Sequence, residues 1–184
     1  MRGAHLLMLF PIAFTSQAAN VVDYSQVDLS TVLNQTTQGF TAVSQPLAYQ
    51  DASRVDTGTT TLLRKKQLHY GIPVYGQSVV VDLSQKGIAK AVDGQVLTDI
   101  EADIGSTLPM INAQQALAIA KSQYQGVAAA TIHSPNTELG IWLDEQQQAR
   151  LIYKIDFLQT KGMAPSRPIT LVDAKSGELL DQWE

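Results

Sequence analysis

Three histidines, His5, His69 and His133, and no cysteine are all that the 184-residue chain offers to a transition metal. They stand far apart, and none has a partner at ligand spacing. A helical zinc site needs two histidines four apart with a glutamate base beside the first, and no His-Glu-x-x-His occurs. His69 falls in a predicted strand and His133 in a polar loop, so each reads as a packing or surface residue. Asp99, Glu101 and Asp103 gather three carboxylates in a short acidic stretch, without the buried setting that tunes an acid–base pair. No Gly-x-Ser-x-Gly elbow and no phosphate-cradling glycine loop is present. The sequence therefore predicts no catalytic residue, no metal site and no cofactor.

Composition narrows the partners instead. Hydrophobic residues are 45% of the chain and charged ones 16%, which is enough to build a packed core. A net charge of −4 argues against a nucleic acid or an anionic membrane as partner. The densest basic run, Arg64-Lys65-Lys66, reads as a solvated strand end that protects a sheet edge. With no cysteine, neither a disulfide nor a thiolate site can form.

The first residues carry an address. Arg2 supplies a positive charge, Leu6 to Phe14 is almost wholly apolar, and Ser16-Gln17-Ala18-Ala19 has the small residues that a signal peptidase accepts. The apolar run is shorter than the ~20 residues of a spanning helix. Residues 1–18 are expected to be a removed leader, with cleavage after Ala18 fitting best and after Ala19 nearly as well. The mature chain is expected to be exported to a bacterial periplasm or medium, with no membrane attachment afterwards.

The elements that must position any functional surface follow from pattern. Residues 19–61 are polar, with a weak helical signal at Ser30 to Asn34. Strands are predicted at Leu62–Leu68, Val74–Leu83, Ile88–Val92 and Gln95–Leu97, the last two joined by an Asp93-Gly94 hairpin. Between the first two lies a stiff corner: Gly71 tolerates unusual backbone angles, and Pro73 fixes its own φ and holds Ile72 extended. Residues 99–110 read as an acidic linker closed by Pro109. Asn112 with Gln115 forms a capping box before an apolar stripe of Ala113, Ala116, Leu117, Ala120 and Tyr124, and Gly126 ends that helix. Strands follow at Leu139–Leu143, Arg150–Leu158, Ile169–Val172 and Glu178–Gln182. Glu145 to Gln148 forms one turn, and Gly177 supplies positive φ in another.

The corner Gly71-Ile72-Pro73-Val74-Tyr75-Gly76 resembles that of the fungalysin/thermolysin propeptide domain, which precedes secreted zinc metallopeptidases. The second half resembles the PepSY domain. The pieces that carry this likeness are the helix Ala113-Gln114-Gln115-Ala116-Leu117-Ala118-Ile119-Ala120, the strand Leu151-Ile152-Tyr153-Lys154-Ile155-Asp156, and Val172-Asp173-Ala174-Lys175-Ser176-Gly177-Glu178-Leu179. Together they cover nearly all of the chain after the leader. The resemblance implies an α+β fold of two small domains, each an antiparallel sheet with little helix, with one clear helix opening the second. The expected bounds are 19–98 for the first domain, 99–110 for the linker and 111–184 for the second.

The same resemblance implies a non-catalytic pro-region. It would act as intramolecular chaperone and inhibitor of a thermolysin-like zinc metallopeptidase, its partner in cis or in trans. The two domains would cradle the enzyme, and the C-terminal segment would run toward the active site. The expected interface is Ile72, Pro73, Val74 and Tyr75 with Leu179, Leu180 and Trp183, although Val74 and Leu180 read equally well as core. The competing reading is a free-standing exported protease inhibitor or binding module acting in trans.

Overall fold

The computed structural model describes residues 18–23, 46–124, 131–161 and 164–184. The apolar part of the leader, the weak helix near Ser30, Gly126 and Gly162 lie outside these. Among the described residues ten strands and two short helices follow in order: β1 (Asn20–Asp23), β2 (Ala48–Asp56), β3 (Thr60–His69), β4 (Ile72–Ser84), β5 (Ala89–Thr98), α1 (Ile100–Ile104), α2 (Ala113–Ser122), β6 (Thr131–Leu143), β7 (Ala149–Lys161), β8 (Ala164–Ser166), β9 (Ile169–Asp173) and β10 (Leu179–Trp183). The predicted class is right: antiparallel strands dominate, with one clear helix. The strands join as β1-β5-β4-β6-β7-β9-β10, with β3 also paired to β4, β2 paired to β3, and β8 beside β7.

The expected corner is a tight hairpin. His69 pairs with Ile72, and the two residues between, Tyr70 and Gly71, both have positive φ (48° and 81°). Such a two-residue loop matches the right-handed twist of its strands. Pro73 is already inside β4, opposite Leu68. Lys66 then faces Ser78, so two steps along β3 (66 to 68) span five along β4 (73 to 78). Residues 74–77 are thus thrown out of the hairpin ladder. Gly76, at φ 82°, carries the bend. Core-facing positions change there from Val74 to Val79 and Val81, so even gives way to odd.

The bulge lets β4 serve both halves. Ser78 to Leu83 pair antiparallel with β5, whereas Val74 forms a parallel bridge with Ile141 of β6. Beyond Gln95 the β5 backbone has lost its β4 partner, and the Gln67 side chain takes over. Its amide donates to the Leu97 carbonyl at 2.6 Å and its oxygen accepts the Leu97 N–H at 2.7 Å. Gln67 is completely buried. Two apolar clusters result. Val79, Val81, Val92 and Val96 fill the first. The larger joins Val74, Leu97, Ile100 and Ile104 to Ala116, Ala120, Ile141, Leu151, Phe157 and Val172.

Three local expectations are corrected. Asp93-Gly94 makes no hairpin, because β5 runs straight through it. Gly94 lies against β4 at Val79, where a Cβ would overlap the Ser78 carbonyl oxygen. The acidic stretch at 99–110 is not an open linker: 100–104 form α1, with Ile100 and Ile104 buried. Lys65 of the basic run is buried and ion-paired to Asp51 at 2.5 Å, leaving Arg64 and Lys66 exposed. The capping box of α2 is formed, Asn112 Oδ1 accepting the Gln115 N–H at 2.9 Å and Gln115 Oε1 accepting the Asn112 N–H at 2.8 Å. Ala116 and Ala120 of its stripe are buried, but Ala113 is exposed. Tyr124, just past the helix, meets Phe157 edge-on.

Gly94→Ala is expected to cost about 2 kcal/mol or more, from strained φ and backbone overlap together. Thermal unfolding should register this as a midpoint lowered by roughly 4 °C or more. Asp144, in the β6–β7 turn, gives a second expectation. Burial pushes its carboxyl up, but N–H groups of Gln148 and Gln146 and the Arg150 guanidinium outweigh this and hold it below the ordinary carboxylate range. A depressed carboxyl adds stability above its unfolded value and loses it as pH falls through the folded one. Acid titration of stability should therefore steepen below the ordinary carboxylate range, and Asp144→Asn should flatten that limb.

Candidate functional site: an aromatic hollow at the sheet junction

The bulge dictates which predicted interface residues can be touched. Val74 is 3% exposed in the larger core, and Ile72 packs against the same cluster. Of the two readings of Val74, contact surface and core, the structure shows the core: it bridges to Ile141 of β6 and shares its cluster. Ile72 is only half-buried, with its packing directed inward. Pro73 and Tyr75, on the alternate positions, point the other way.

The Tyr75 ring lies against Gly140 of β6, where any Cβ would collide with it. Its hydroxyl donates to Glu138 Oε2 at 3.1 Å, and the Lys154 ammonium sits 5.1 Å from the ring centroid. Glu138 is in turn held by Asn136, which also reaches Asp156. Burial first, and then the charge of Glu138, push the Tyr75 phenol well above its ordinary value. It remains a neutral donor at any physiological pH.

On one side of Tyr75 lies a hollow of about 390 Å³ lined by Gly76, Gln77, Trp142, Leu143, Lys154, Leu171 and Trp183. On the other side a more polar hollow holds Gln50, Arg64, Lys66, Pro73, Ser78 and Glu138. Tyr75 and Trp183, 108 positions apart in the sequence, thus line one depression. Trp183 pairs with Ile169 at the end of β10 and is 42% exposed. Leu179 and Leu180 lie earlier on β10, exposed and half-buried respectively, and neither lines the hollow.

Trp142, Lys154, Glu138 and Gly140 were not foreseen. Only Gly140 left a signal, a lone glycine inside an apolar strand, which marks close approach of another group. His69 is a packing residue, as expected: it is buried and its Nδ1–H donates to the Pro46 carbonyl at 2.7 Å. His133 lies in β6 rather than in a loop, with its side chain exposed. Among the described residues no group of three acidic or histidine side chains could hold a metal ion. No helix among them is long and apolar enough to cross a membrane. Ala18 is exposed and Ala19 buried.

Comparison with known proteins bears on this surface. Residues 47–96 match the Fungalysin/Thermolysin Propeptide Motif, and residues 110–183 match the Peptidase propeptide and YPEB domain. The chain carries the two domains of the thermolysin-type propeptide family. The hollow lies across both matched segments, since Tyr75 belongs to the first and Trp142, Lys154 and Trp183 to the second. Over 125 residues the chain is 39% identical to the Hemagglutinin/proteinase of Vibrio cholerae serotype O1, covering 66% of this chain and 20% of that one. It is 35% identical over 126 residues to the Neutral protease of Vibrio proteolyticus, covering 66% and 20%. Thermolysin of Bacillus caldolyticus is 30% identical over 129 residues, covering 67% and 23%. The chain thus spans only about a fifth of these relatives' length.

Gly140→Ala should lift Tyr75 off its seat without emptying the core. In carbon-13 NMR of labelled tyrosine, Tyr75 of the parent protein should stay protonated beyond the ordinary phenol range. In the variant it should titrate closer to that range. An unchanged Tyr75 titration would show that Gly140 is not what seats the ring.

Proposed function

We propose that the chain is the pro-region of an exported thermolysin-like zinc metallopeptidase, and that it serves as intramolecular chaperone and as inhibitor. The observation that carries this reading is the meeting of Tyr75 and Trp183 in one half-exposed hollow that spans both propeptide segments. Secreted peptidases are commonly held native by a high unfolding barrier. A pro-region lowers the folding barrier when it binds the folding transition state better than the unfolded chain. The same surface then binds the finished enzyme. Stable inhibition calls for roughly 1,200–2,000 Å² of interface around an apolar centre.

In this reading Tyr75, Trp142 and Trp183 form that centre, with Pro73 and Lys154 at its rim. Ile72 and Val74 support it from the core side. Aromatic anchors of this kind dominate binding energy at protein interfaces. Leu179 and Leu180 set the course of β10, which carries Trp183 to the hollow that Trp142 also lines. The leader, cut at Ala18 or Ala19, delivers the protein to the periplasm or medium.

The purified exported chain should inhibit its cognate thermolysin-like peptidase in trans and should hydrolyse no casein, with or without zinc. Trp183→Ala should weaken inhibition by about 30-fold, the consequence of losing an anchor worth about 2 kcal/mol. Its melting midpoint should barely move, because the ring is partly exposed at the end of an edge strand. Inhibition by Trp183→Ala as tight as by the parent would remove the hollow from the interface. Zinc-dependent casein cleavage by the pure chain would refute the pro-region reading altogether.

A further inference from the structure

Ala19 is 6% exposed, yet Ala18 before it lies in solvent. The main-chain nitrogen of Ala19 donates to Asp103 Oδ2 at 3.0 Å, and the same oxygen accepts the Ala149 N–H at 2.8 Å. Asp103 is carried on α1 between the buried Ile100 and Ile104. The segment is held in register beyond Ala19: Asn20 pairs with Thr98, its amide donates to Asp99 Oδ2 at 3.3 Å, and its carbonyl accepts the Thr98 hydroxyl at 3.3 Å. No basic residue occupies the last turn of α1. Among the described residues the four ion pairs leave out Asp99, Glu101 and Asp103. Asp103 thus holds two neutral donors and lacks a counter-charge, in a negative neighbourhood.

We propose that Asp103 is the receptor for the α-ammonium group of a mature chain that begins at Ala19. The inference rests on leader removal after Ala18. Hydrolysis of the Ala18–Ala19 amide places the water hydroxyl on the Ala18 carbonyl and a proton on the Ala19 nitrogen. That amine then takes a further proton from solvent. A neutral amide donor already 3.0 Å from the carboxylate becomes a cation at the same place. A carboxylate at this distance favours the protonated amine. The remaining ammonium hydrogens face the space Ala18 vacates, which is open to water, so the desolvation that undermines fully buried pairs is avoided. The pair ties β1, α1 and β7 together at one atom. It cannot form while the leader is attached, which couples final compaction to export.

The full chain is exported from a bacterial host, and the intact mass of the product fixes its first residue. A start at Ala19 is expected; any other start overturns the cleavage reading and, with it, the receptor. With Ala19 first, two changes are compared singly and together: one glycine inserted between Ala18 and Ala19, and Asp103→Asn. Each should lower the melting midpoint by roughly 4 °C. The double variant should fall no further than the worse single one, because both remove the same pair. A glycine-extended chain that melts with the parent, or losses that add, would overturn the proposal. Where Asp103→Asn fails to fold, acetylation of the folded protein by acetic anhydride decides. The α-amine of the parent should react on the order of tenfold more slowly than that of the glycine-extended chain, since a paired ammonium is held protonated. Equal rates would refute the pair.

Discussion

The fold hangs on the mismatch between β3 and β4. A hairpin of equal strands would pair residue for residue from the Tyr70-Gly71 turn and set Thr60 opposite Val81 rather than Ser84, and β4 would have nothing to offer β6. Because Lys66 opposite Ser78 is followed by Leu68 opposite Pro73, the segment 74–77 must leave the ladder. Pro73 suits the start of such a segment, having no N–H to lose, and Gly76 accepts the positive φ at its far end. Val74, freed from β3, inserts into the larger core and bridges to Ile141. The mismatch thus joins the two halves, and it also places Tyr75 on the outside of the junction.

A bulge creates orphans as well as contacts, and their satisfaction explains several buried polar groups. Leu97 loses a strand partner when β4 turns toward β6. A buried backbone amide without a partner costs about 1–3 kcal/mol. Gln67 meets both its N–H and its carbonyl, a side-chain amide standing in for a missing strand. Asp103 performs a similar service at the β1 and β7 ends, accepting from Ala19 and Ala149. Farther on, the Tyr153 hydroxyl donates to the Ile111 carbonyl, and the Met110 and Ile111 N–H groups reach the Ala174 carbonyl, fixing the approach to α2.

What could be read from the sequence was what local chemistry decides. The capping box of Asn112 and Gln115 needs only residues three apart. The positive φ of Gly177 and the run of β-branched residues from Val79 to Val81 are equally local. Asp93-Gly94 shows the limit. Its turn chemistry is sound, but β4 passes so close that the glycine is needed for clearance, not for chain reversal. The partners of Gln67, Asp103 and Gly140 were illegible for a related reason. Each acts on a group 30 or more positions away, and only the register of the bulged hairpin brings those groups together.

The candidate surface divides along the same line. Ile72 to Tyr75 was identified as one ridge, whereas alternation within the bulge sends its members in opposite directions, Val74 inward and Tyr75 outward. Trp183 is expected at the interface as an aromatic on the C-terminal segment, and nothing local in the sequence tells that β9 and β10 bring it to the hollow that Tyr75 lines. An edge strand five residues long has little packing of its own. Its place is set by the Asp173 turn, whose carboxylate accepts from Lys175 and Ser176 and whose Gly177 bends against Ile119 and Ile111. Position at the hollow is therefore inherited from α2 through that turn. A surface assembled from the bulge of one segment and the last strand of the other exists only when both are docked. In the reading proposed above, such a surface would engage a partner only once the chain is itself folded.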